Sequence, residues 1–138
     1  MRILFFLFML PFMISLAACK KEAESNSGNI SLSTTDTVVY SGSFVSNAHT
    51  TTGNAKIIKS KDGKRYLILE NISTDAGPDV RVFVAPDRMI GGATEILKPS
   101  KNGNTKVEIP NSVNLTAQKF VLIWCQQASV LFGNAPLN

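Results

Sequence analysis

One histidine and two cysteines are all the imidazole and thiol ligands that 138 residues offer, and that scarcity removes whole classes of chemistry. A blue-copper centre needs two histidines and a cysteine, and covalent haem attachment needs Cys-x-x-Cys-His; neither set can be assembled from His49, Cys19 and Cys125. Zinc on Cys125, His49 and carboxylates such as Asp75 or Asp79 lacks any ligand spacing. Gly-x-Ser-x-Gly and the Walker-type glycine loop are both missing, so a serine hydrolase and a nucleotide-phosphate site have no signature either. No catalytic residue, metal or cofactor is therefore expected. The formal charge of +4 is too small to imply nucleic acid as a partner.

What is present begins with an address. Arg2 supplies a positive start, Ile3 to Leu16 an apolar run, and Leu16-Ala17-Ala18-Cys19 a small-residue site ending in cysteine, the plan of a bacterial lipoprotein signal. The run falls short of the ~20 apolar residues that span a bilayer and is interrupted by Pro11. Residues 1–18 are thus expected to be removed and Cys19 to be lipidated, palmitate being one of the attached chains. The product would sit in the cell envelope on the extracytoplasmic side, at the outer membrane, with its N-terminal lipid in the bilayer. Since two acyl chains anchor where one is marginal, the attachment would be stable. Cys125 is then left without an intramolecular disulfide partner, so the chain is expected to be a monomer or a thiol-linked dimer.

Residues 19–37 form the next unit. Lys, Glu, Ser, Asn, Thr and Gly dominate it, with too few apolar side chains to bury a core, and it reads as a flexible tether with a reach on the order of 20 to 25 Å. From residue 38 to 138 the pattern changes to short β-branched and aromatic runs bounded by turn residues. Strands are expected at Thr37–Val45, Ala55–Lys59, Arg65–Glu70, Val80–Val84, Thr105–Ile109, Phe120–Cys125 and Ser129–Phe132. Asp62-Gly63 predicts a two-residue hairpin turn and Asn102-Gly103 a second turn. No 3.6-residue periodicity runs through this region, and Pro86–Lys101 reads as loop with one short helical turn at most. The fold class that follows is all-β, an antiparallel sandwich or barrel-like domain. Phe120–Cys125 is apolar on both faces, which marks a central strand with Phe120, Leu122 and Trp124 on one side and Val121, Ile123 and Cys125 on the other.

These residues also carry a family resemblance. Gly42-Ser43-Phe44 followed by His49 and Gly53, Leu67-Ile68-Leu69, Gly77-Pro78-Asp79-Val80, Ile109-Pro110, Val121-Leu122-Ile123-Trp124-Cys125 and Val130-Leu131-Phe132-Gly133-Asn134-Ala135-Pro136-Leu137 resemble the electron-transfer DM-thirteen (DM13) domain. The resemblance implies a β-rich extracytoplasmic module, found alone in bacterial lipoproteins and beside haem-binding DOMON domains in animal proteins, with a redox-active cysteine at the position of Cys125. This chain reads Glu70-Asn71-Ile72 where many members have Asp-Phe, and no DOMON partner is expected with it.

Two functional classes remain. In one, the domain is a redox or electron-transfer accessory in which Cys125 cycles between thiol and an oxidised form, with His49 and Trp124 in support. In the other it is a non-catalytic binding or structural module of the envelope, with an inert buried Cys125 and loops that meet a protein or glycan. Cys125 ends its strand just before the polar pair Gln126-Gln127, a position that predicts a rim thiol open to reagents. His49 reads either as a ring bonded to loop backbone or as a proton partner for the thiolate. Gly77-Pro78-Asp79 reads as a turn in which Gly takes an unusual φ and Asp bonds nearby amides. Lys56, Lys59, Lys61, Lys64 and Arg65 gather around the Asp62-Gly63 hairpin, as solvated edge charges or as a contact for anionic headgroups or polysaccharide.

Overall fold

The computed structural model describes residues 30–98, 100 and 102–138. The signal segment 1–18, Cys19 and most of the expected tether lie outside these residues. Ser33 and Asp36 close an exposed turn just before the first strand, with Asp36 N–H donating to Ser33 O over 2.9 Å.

Nine strands follow: β1 (Thr37–Ser43), β2 (Val45–Ser46), β3 (Thr51–Lys59), β4 (Arg65–Thr74), β5 (Val80–Ala85), β6 (Thr94–Leu97), β7 (Gly103–Glu108), β8 (Phe120–Cys125) and β9 (Val130–Pro136). They build two antiparallel sheets of order β1-β3-β4-β7 and β2-β9-β8-β5-β6, packed face to face as a sandwich and not closed into a barrel. Period-2 alternation decides which side chains meet between them. Ala55, Ile57, Leu67 and Leu69 come from one sheet and Val80, Val82, Val84, Val121, Ile123 and Cys125 from the other. A second, smaller apolar cluster lies on the outer face of the five-stranded sheet. There Phe83, Ala85 and Leu122 are covered by Ile90 and Ala93 from the β5–β6 loop, beside Phe120, Trp124 and Leu131. That cover explains why β8 is apolar on both faces.

Several strands differ from their expected limits, each for a local reason. The first expected strand divides at Phe44, whose burial turns the chain from one sheet to the other. β3 and β4 reach back through polar residues to Thr51 and out to Thr74, with irregular register at Gly53 (φ 115°) and at Asn71 (φ 51°). Asn is among the few side chains that tolerate the left-handed region, and the Asn71 N–H is met by Asn104 Oδ1 at 2.7 Å. Asn102 serves the expected turn by exchanging two side-chain hydrogen bonds with the backbone of Thr74. Strand β6 lies within Pro86–Lys101, expected to be loop, because its residues show no alternation. Ser129 sits in the β8–β9 turn at φ 53° instead of opening β9, which runs on to Pro136.

The Asp62-Gly63 hairpin is also longer than two residues. Gly63 N–H donates to Ser60 O, Ser60 N–H donates to Lys64 O, and Gly63 has φ 83°. This is a three-residue loop closed by a glycine bulge.

Where β1 meets β9 the two backbones come close together. A Cβ on Gly42 would lie 1.9 Å from Pro136 O, and Ser41 and Asn138 exchange backbone hydrogen bonds beside it. Gly42→Ala must push two backbones apart, so we expect a loss of at least ~2 kcal/mol by urea unfolding with an unchanged m-value. Gly91→Ala, with open space around it, should stay within about 0.5 kcal/mol of the parent.

Candidate functional site

Antiparallel pairing sorts the sequence-flagged residues to one end of the sandwich. Thr37 pairs with Lys59, and Ala85 with Phe120, at the end where the chain enters. Thr51 pairs with Thr74, Ser46 with Gly133, and Val80 and Val130 both with Cys125, at the other. His49, Gly77, Pro78, Asp79, Trp124 and Cys125 therefore all lie at the end far from the chain entry.

At this far end His49 is held by two partners. Its Nδ1 lies 3.2 Å from Asp75 Oδ2, an oxygen that also accepts the Thr50 N–H at 3.3 Å. Its ring lies against Phe132 with centroids 3.9 Å apart. Hydrogen bonds from Asn47 and Ala48 to Phe132 O and Leu131 O fix the same loop to β9. The expected backbone contact of the ring is thus replaced by a carboxylate. Asp75 is 26 residues away in sequence, and neither spacing nor periodicity links the two.

Gly77 is required by space and not by conformation. It is absent from the positive-φ positions, but a Cβ there would stand 2.7 Å from Val80 Cγ2 and 2.9 Å from Phe132 Cζ. Phe132 is thus packed by Gly77 and by the His49 ring. Among the described residues the Asp79 side chain bonds no nearby amide. Its carboxylate takes Arg81 Nε at 2.9 Å and Arg81 Nη2, while Arg81 Nη1 reaches Glu95 at 2.7 Å. Hydrogen bonding to Arg81 holds the Asp79 carboxyl below the usual carboxylate range, and the same bond, with that to Glu95, pushes the guanidinium further above its own. Among the described residues no three His, Cys, Asp or Glu side chains converge as a metal site.

Cys125 points into the inter-sheet core, as alternation requires, and is fully buried at 0 % exposure. The rim position expected from its place at the strand end is overturned. Gln126 N–H donates to Asp79 O at 2.8 Å, which ties the turn after the cysteine to the chain entering β5. Val80 and Val130 flank it in the register on either side. No hydrogen bond reaches its Sγ among the described residues, and the His49 imidazole is committed to Asp75. Trp124 lies on the opposite, outer face, half-buried with Leu131 and paired in register with Arg81.

A two-sheet antiparallel sandwich with these motifs at one end is the class that the geometry defines. A family model described as Electron transfer DM13 matches residues 43–137, and the chain belongs to that family. No curated protein and no solved structure matches it.

Asp79 makes the site sensitive to acid. Its carboxyl is lowered in the fold relative to the unfolded chain, so its contribution is complete above the ordinary carboxylate range and is lost as pH falls through the folded value. Asp79→Asn should therefore be less stable than the parent at pH 7, with the difference in thermal unfolding narrowing as pH is lowered below the ordinary carboxylate range.

Proposed function

We propose that this protein is a lipid-anchored module of the cell envelope that serves an electron-transfer system as a docking accessory, with Cys125 as a packed core residue and not as the electron-carrying group. Family membership supports the electron-transfer setting. The observation that carries the assignment of the cysteine is its complete burial between the sheets, because a thiol that exchanges with partners must be reachable and its thiolate favoured. The lipid anchor rests on the Leu16-Ala17-Ala18-Cys19 site. With the thiol enclosed, the native chain would be a monomer toward disulfide exchange, and an envelope protein or glycan would be met through the surface of the far end.

Thiol labelling of the native and the urea-unfolded protein tests this reading. Labelling that requires opening of a stable core should be at least ~10³-fold slower in the native state, and Cys125→Ser should cost ~1 to 3 kcal/mol as a hydroxyl forced into apolar surroundings. Equal rates in the two states would return the function to thiol redox chemistry. The anchor has its own check: Cys19→Ala should abolish lipidation and release the folded domain's stable hold on membranes, seen as loss of the mature lipidated form by mass spectrometry.

A further inference from the structure

We propose that the hairpin end of the sandwich, through Lys59 and Lys61, lies against the anionic phospholipid headgroups of the membrane to which the chain is tethered, so that the far end points away from the bilayer. This rests on the lipid anchor at Cys19 proposed above.

The register places the contact. Thr37, the first residue of β1, pairs with Lys59, so the chain coming from Cys19 enters the domain beside the Ser60–Lys64 loop. Lys59 and Lys61 are exposed and form no ion pair among the described residues. Arg65 gives its guanidinium to two neutral acceptors, Val113 O at 2.9 Å and Pro110 O at 2.8 Å. Lys119 lies over the Tyr40 ring, 4.2 Å from its centroid. These four cations have no carboxylate against them, whereas at the far end Arg81 is bonded to both Asp79 and Glu95. Lys59, Lys61, Arg65 and Lys119 thus gather at the tether end without a carboxylate partner, beside Asp62 and the Lys64–Glu108 pair.

An apolar contact joins it. The β5–β6 loop belongs to this end, since Gln118 Nε2, just before Phe120, donates to Gly92 O at 3.1 Å. In that loop Met89 is 68 % exposed. A short basic patch recruits no protein by itself, because its field reaches only about 8 Å at physiological salt. A lipid tether removes that limit by keeping the patch near the surface, and one anchor plus one electrostatic contact is sufficient to set orientation.

The test uses the full lipidated chain in vesicles of phosphatidylcholine alone or with one part in three of phosphatidylglycerol, carrying a nitroxide in the headgroups. A fluorophore is placed on Ser112→Cys, exposed in the loop held by Arg65, or on Gln127→Cys, exposed at the far end. In anionic vesicles quenching at 112 should exceed that at 127 by about three-fold, and the difference should vanish at 1 M salt, where the Debye length is about 3 Å. It should vanish also in Lys59→Glu/Lys61→Glu, where both side chains are exposed. Equal quenching at the two positions on protein that floats with the vesicles overturns the orientation and leaves the anchor intact. Failure of the chain to float with either vesicle overturns the anchor, and the proposal with it.

Discussion

Burial of two sheet faces against each other is the interaction on which everything else in this domain depends. With Cys125 as the only cysteine among the described residues and free, no disulfide holds the layers together there. Cohesion must come from apolar area removed from water, which stabilises by ~25 cal/mol per Å², and from close packing. The inner residues of β3, β4, β5 and β8 are nearly all Val, Ile, Leu or Ala at 0 % exposure. Gly42 and Gly133 permit the approach at β9, where Gly133 leaves room for the Thr51 side chain. Fixing the strands in this way also fixes what lies at each end. The hairpins and crossovers have no freedom to exchange ends without inverting the inward faces.

The sequence carried the inward faces well because period 2 is a strong signal where a strand is half-buried. It placed Val121, Ile123 and Cys125 on one side of β8 and Leu122 and Trp124 on the other, as found. Depth was another matter. Alternation says which way a side chain points but not how far the neighbouring chain extends past it, and the Gln126–Asp79 hydrogen bond that closes over Cys125 joins segments 47 residues apart. Strand β6 escaped notice because Thr94-Glu95-Ile96-Leu97 has no alternating pattern and its residues are only partly buried. The polar ends of β3 and β4 were illegible for the opposite reason. They are held by Asn102, Asn104 and a threonine pair, Thr51 and Thr74, whose hydroxyls lie 3.1 Å apart, and such side-chain bonds leave no periodic trace.

Polar residues at the far end were recognisable as unusual, but their partners were not. His49 was open to a structural or a chemical role in the sequence, and its neighbour Asp75 decides which bond its Nδ1 makes. Asp79 lies in a turn motif whose expected use is local hydrogen bonding, yet its carboxylate bonds Arg81, two residues on along a strand. Residues i and i+2 of a strand share a face, so the pairing is natural once Asp79 is seen as the extension of β5. The first contact joins two loops and the second joins a turn to a strand, and both tie down the end that carries them.

Trp124 and Cys125 show how a motif can be read too literally. As neighbours in the chain they suggest one site, but consecutive residues of a strand must face opposite ways, and β8 is central in its sheet between β5 and β9. The tryptophan belongs to the outer cluster with Leu131 and Arg81, and the cysteine to the core between the sheets. A partner resting on the Trp124 face is separated from the thiol by the full thickness of the sheet. To touch both, it would have to draw β8 out of register with two neighbours, at the cost of the core itself. The two halves of the motif therefore stand in different surroundings: the cysteine in the core between the sheets, and the tryptophan in the cluster on the outer face.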